Sequence, residues 1–215
     1  FIVSAANAIL SKVTPPASRW RLWVDGSGGY LLLTGNSWTL GGISDRSVAD
    51  IRVRADWPRL AGRIEREAGD YFWCEMYTKG QTPPDRSLVT HGRVLPIAGS
   101  AALTLTQPSP LTSTAVLDLT PPHRFDEHID RVILVDKTLL IGPSAECHIQ
   151  CDPPKENARQ KEGAKHASST DAAPERLIMT RRGDRWLAGT AGDLQELVVG
   201  QSTQLQSVTM TLEET

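Results

Sequence analysis

The sequence has little cysteine: Cys74, Cys147 and Cys151 are the only three in 215 residues. An odd, low count excludes a disulfide scaffold and fits a reducing, cytoplasmic compartment. Aromatic residues make up only 6% of the chain. No charge of either sign is in excess, the formal net charge being -2. The basic stripe expected of a nucleic-acid or anionic-membrane binder is therefore missing. No apolar run reaches the ~20 residues of a membrane span. The apolar start, "FIVSAANAIL", is too short and lacks a signal peptide's basic flank, so residues 1–18 are expected to be a tail or short helix. A chain starting at Phe1 rather than Met is expected to be a processed or partial one.

Motifs of catalysis are lacking as well. There is no G-x-S-x-G elbow, no phosphate-cradling glycine loop ending in Lys-Ser/Thr, and no H-E-x-x-H. The expectation is a protein that is not an enzyme and needs no cofactor. No window carries a sustained helical apolar period either.

What is present is a series of short strands. "RWRLWV" (Arg19 to Val24) sets Trp20, Leu22 and Val24 against Arg19, Arg21 and Trp23, the alternation of a half-buried strand. "DGSGG" follows as a hairpin turn. "YLLLTGNSWTLGG" reads as strand, turn at Gly35-Asn36, strand, and "DIRVRA" alternates again. "GRIEREAGDYFWCEMY" is a hairpin about Ala68-Gly69-Asp70. Many short strands separated by turn signals predict an all-β protein of antiparallel sandwich or barrel type.

Two stretches interrupt the series. "TPPHRFDEH", with paired prolines and charges, reads as a linker over 123–130. Its His123, Asp126, Glu127, His128 and Asp130 are expected to be solvated rather than metal-binding. Residues 152–174, polar and nearly free of large apolar side chains, cannot bury enough surface to order and predict a flexible loop. That loop holds Ser168, Ser169 and Thr170.

The two halves then match in order. "WTLGGISDRSVADIRV" (Trp38 to Val53) parallels "LLIGPSAECHIQC" (Leu139 to Cys151). "RIEREAGDYFW" parallels "LIMTRRGDRWL", and "LVTHGRVLPI" parallels "ELVVGQSTQL". Three landmarks recurring in one order imply two copies of one sandwich, over 19–122 and 131–215, that pack on each other.

These landmarks resemble the forkhead-associated (FHA) domain: a strand ending in Gly-Arg, a loop, a strand beginning Asp-Ile, a Ser-x-x-His loop, a Gly-Asp hairpin and an Asn-Gly loop. The resemblance implies an eleven-stranded β-sandwich that binds phosphothreonine peptides through loops at one end, without catalysis. The ligand positions depart from the pattern. In the first copy Gly41 fits, but Gly42 stands in the arginine position, Pro58 and Ala61 in the Ser-x-x-His positions, and His91-Gly92 in the Asn-Gly position. In the second copy Gly142 fits, Pro143 replaces the arginine, Val199-Gly200 stands for Asn-Gly, and His166-Ala167 echoes the histidine. Glycine, proline and valine offer no side-chain donor, whereas phosphate capture rests on charge-assisted arginine and hydroxyl bonds. The expectation is two degenerate FHA-like domains in a larger signalling or assembly protein. They would bind a protein or peptide partner, with weak or no phosphothreonine recognition. The alternative is genuine phosphopeptide binding through Arg59, Arg63 and His91, helped by Arg46.

Cys147, His148 and Cys151 have no second ligand pair, so they do not make a structural zinc site. On an alternating strand Cys147, Ile149 and Cys151 share one face and read as small core residues, with His148 pointing the other way.

Overall fold

A computed structural model describes residues 18–44, 48–76, 86–151 and 176–215. The N-terminal segment 1–17, Arg46, and the segment 152–174 with His166, Ser168, Ser169 and Thr170 lie outside the described residues. Among those described there is no helix, and strands form three sheets.

The largest sheet has eight strands. Its two central members are β2 (Gly28–Leu33) and β12 (Arg131–Leu134), which pair in parallel with Leu31 beside Val132 and Leu33 beside Leu134. On one side of this pair follow β1 (Arg19–Val24), β19 (Val208–Glu214) and β18 (Ser202–Leu205). On the other side follow β10 (Ala115–Leu119), β9 (Leu103–Thr106) and β8 (Arg93–Val94).

A six-stranded sheet joins β11 (Arg124–Phe125), β4 (Ile51–Arg54), β3 (Ser37–Gly42), β5 (Gly62–Glu67), β6 (Asp70–Glu75) and β7 (Arg86–Val89) in that order. A five-stranded sheet joins β14 (Ile149–Gln150), β13 (Thr138–Gly142), β15 (Leu177–Arg182), β16 (Arg185–Thr190) and β17 (Asp193–Glu196).

The sequence repeat is a repeat of topology. In each smaller sheet the first long strand pairs in parallel with the next and antiparallel with the one after. Leu40 sits beside Ile51, and Ile141 beside Ile149, so Gly41 and Gly142 occupy matching registers. The sheets are thus mixed and not purely antiparallel as the strand pattern predicts. The parallel pairs β3–β4 and β13–β14 come from short crossovers, whereas β2 and β12 pair in parallel from distant parts of the chain.

Two cores lie on opposite faces of the eight-stranded sheet. Leu31, Leu33, Val132 and Leu134 face Trp38, Ile64, Tyr71 and Trp73 of the six-stranded sheet. Tyr30, Leu32 and Ile133 face Leu139, Ile141, Met179 and Trp186 of the five-stranded sheet. Each of these aliphatic side chains contributes about 1.5–3 kcal/mol by burial. The Tyr71 hydroxyl donates to the Ser113 carbonyl at 2.6 Å, fastening the first core to the loop before β10.

The two sandwiches are therefore not separate tandem bodies joined by a linker. Their central sheet is common, and β1 belongs to the second core: Trp20, Leu22 and Val24 pack there, and β1 pairs with β19. The segment 123–130 is a built part of the first core, not a linker. Arg124 and Phe125 form β11 against β4, and Phe125 and Ile129 are buried. The apolar side chains at 125 and 129 outweigh the polarity of their neighbours.

Candidate functional site

The resemblance directs attention to the end of the first unit where β3 and β4 leave the sheet. Gly41 and Gly42 are buried there beneath the segment Trp57–Leu60. The Gly42 amide donates to the Pro58 carbonyl at 2.8 Å, and the Ala61 amide to the Leu40 carbonyl at 2.7 Å. A Cβ on Gly41 would collide with the Arg59 carbonyl oxygen, and one on Gly42 with the Trp57 carbonyl oxygen. The place where the resemblance puts an arginine is roofed by backbone, so no side chain fits without moving it. Ile43 and Val48 are exposed on the following loop, Val48 to 82%.

Arg59 is exposed at this end. Arg63, also exposed, lies on β5 beside Thr39 and is held by Glu65 at 2.7 Å. His91 and Gly92 are at the opposite end of the unit. There the Gln107 amide donates to His91 Nδ1 at 3.0 Å, while the Gln107 side chain reaches the Gly69 carbonyl of the β5–β6 turn. Arg59, Arg63 and His91 do not converge. β6 and β7 pair at Cys74 and Arg86 toward the Gly42 end; residues 77–85 lie outside the described ones.

The second unit places its glycines in matching positions. Gly142 is buried and Pro143 is exposed at the matching end, with Ala145 and Glu146 also exposed. Gly200 is at the other end, in a turn with φ +77° whose amide donates to the Leu212 carbonyl. Gly92 does the same toward the Leu105 carbonyl, so the two glycines are equivalent. Both need a positive φ, which glycine adopts freely.

The cysteine-histidine cluster is a packing element. Cys147, His148, Ile149 and Cys151 are all buried, and Cys151 and Ile149 belong to the second core. The His148 Nδ1 accepts the Leu140 amide at 3.0 Å. Burial pushes the His148 imidazole down to about 4, with the Thr114 carbonyl acting in the opposite sense. His148 is thus neutral at pH 7 with its proton on Nε2. Burial also raises the Cys147 and Cys74 thiols, which keeps them protonated and unreactive. No group of three or more His, Cys, Asp or Glu that could hold a metal occurs among the described residues.

A cluster of ion pairs among the described residues falls in the segment that sequence reasoning treated as solvated linker. Glu127 accepts from Arg19 at 3.1 Å, from Arg21 at 2.8 Å and closely from Arg52. Asp126 faces Arg52 at 3.4 Å and Arg54 at 3.0 Å. Burial alone would raise the Glu127 carboxyl, but Arg19, Arg21 and Arg52 together hold it below its ordinary range. The junction ties β1 to β4. Beside it opens a cleft of about 880 Å³ lined by Arg54, Arg124, His123, His128, Ile129 and Asp130, among others.

No family model, no curated protein and no solved structure matches this chain. No helix among the described residues is long and apolar enough to cross a membrane.

Proposed function

We propose that this chain is a non-enzymatic protein-interaction module, built from two degenerate FHA-like units fused through one sheet. It binds a protein or peptide partner and does not read phosphothreonine at the FHA ligand position. One observation carries this reading. At the end where the resemblance places phosphate ligands, Gly41 and Gly42 lie under the Trp57–Leu60 backbone, and the adjacent loop offers Ile43 and Val48 to solvent. An arginine that should supply charge-assisted bonds worth about 1.5–3 kcal/mol has no room there. Exposed apolar side chains instead suit contact with another protein. The matching end of the second unit offers Pro143 and Ala145, again without a cationic donor at the arginine position.

The test is a fluorescence titration of the chain with a phosphothreonine peptide library, repeated on Arg59→Ala and Arg63→Ala. The reading expects neither substitution to remove phosphate-dependent binding. Micromolar binding that requires the phosphate and disappears in these two variants would sink it.

A further inference from the structure

β11 sets Arg124 directly opposite Arg54 of β4. Directly opposed residues of an antiparallel pair share a face, and like charges there repel. Both guanidinium groups are exposed and both line the same cleft, together with His123 and His128. Arg54 has one carboxylate partner, Asp126, at 3.0 Å; Arg124 has no hydrogen bond or ion pair among the described residues. The carboxylates nearby are already engaged. Asp126 is shared with Arg52, Asp56 accepts from the Ser100 amide and hydroxyl, and Asp130, which lines the cleft, accepts from the Gly29 amide at 2.8 Å. The floor is apolar, made by buried Phe125 and Ile129.

An edge strand of two residues that places one arginine against another gains from an oxyanion bridging them. Two guanidinium groups on opposed residues of one cleft suit the oxygens of a phosphate group, and two imidazoles in the same lining supply further N–H donors. We propose that the cleft between β4, β11 and the 119–123 turn is a binding site for a phosphate group, either free or as a monoester. Arg54 and Arg124 are its primary ligands, and His123 and His128 are additional donors. This site is separate from the FHA ligand position and does not depend on the function proposed above.

The test uses the full chain and two probes, inorganic phosphate and phenyl phosphate. Thermal melting is compared with sodium chloride at equal ionic strength, and phosphorus-31 linewidths of each probe are recorded with the protein. The variants are Arg124→Gln and, as a control, Arg182→Gln. Arg182 is an exposed arginine opposite Arg185 at the β15–β16 turn, away from the cleft. Expected is a melting increment with either probe over chloride, with line broadening, both lost in Arg124→Gln and kept in Arg182→Gln. A larger increment with phenyl phosphate assigns a monoester with an apolar body; equal increments assign free phosphate. No increment over chloride, or one equal in wild type and Arg124→Gln, would overturn the proposal.

Discussion

The Arg59 carbonyl oxygen lies against the α-carbon of Gly41, within the space any Cβ would need. Gly41→Ala is therefore expected to displace backbone and not a flexible side chain. Overpacking of this kind costs about 1–3 kcal/mol. Chemical denaturation of the variant measures the cost. Gly42→Arg, the substitution that would restore the FHA pattern, is expected to destabilise the chain similarly and to create no phosphothreonine binding.

The shared sheet makes a prediction about fragments. Residues 18–130 alone would lack β12, whose Val132 and Leu134 close the first core. Residues 131–215 alone would lack β1 and β2, and with them Trp20, Leu22 and Leu32. Neither fragment is expected to fold on its own, whereas the two mixed should recover the β signal. Circular dichroism and near-ultraviolet spectra of each fragment and of the mixture check this. Cooperative melting by an isolated half would contradict it.

Much of this was legible in the sequence. The half-buried pattern of Arg19 to Val24, the Ala68-Gly69 turn and the matching of Gly41 with Gly142 all reappear in the structure. The common sheet was written in the sequence too, but in a signal easily passed over. "YLLL" and "RVILV" are apolar at consecutive positions, as befits strands buried on both faces. Such runs name no partner, so the parallel pairing of β2 with β12, about a hundred residues apart, could not be read from them. Phe125 and Ile129 were lost among charged neighbours, and so the segment looked like a linker. At the site, the glycines were visible but the roof over them was not, because Trp57–Leu60 reaches them through tertiary packing.

Phe125→Ala separates a core element from a linker. Deleting a buried phenylalanine costs about 3–5 kcal/mol, whereas the same change in a solvated connection would cost almost nothing. Urea denaturation gives the value directly.

Glu127→Gln should destabilise the chain by about 1–3 kcal/mol, because Arg19, Arg21 and Arg52 lose their common charged partner while remaining mostly buried. The loss should shrink as salt rises, since added ions screen the attraction that the substitution removes. Denaturation at low and high sodium chloride measures both effects.

His148 predicts the shape of the stability curve in acid. Its folded value is lowered to about 4 from 6.5, so on acidification the unfolded chain binds this proton first. Stability supplied by the neutral imidazole is intact above pH 6.5, falls as pH drops toward 4, and levels off below it. Full expression of the shift corresponds to on the order of 3 kcal/mol. His148→Gln, whose amide oxygen can still accept from Leu140, should lose this part of the slope. Denaturation midpoints taken between pH 7 and 4 on both proteins provide the comparison.

The central claim is that the end of the first unit at Gly41 and Gly42 does not read phosphothreonine. Nitrogen-15 NMR of the full chain with a phosphothreonine peptide library, and with the unphosphorylated library as control, tests it at the residues concerned. The account predicts no phosphate-dependent shift at Gly41, Gly42 or Arg59, while shifts at Arg54 and Arg124 would belong to the separate cleft. Saturable shifts at Gly41, Gly42 and Arg59 that vanish without the phosphate would contradict it.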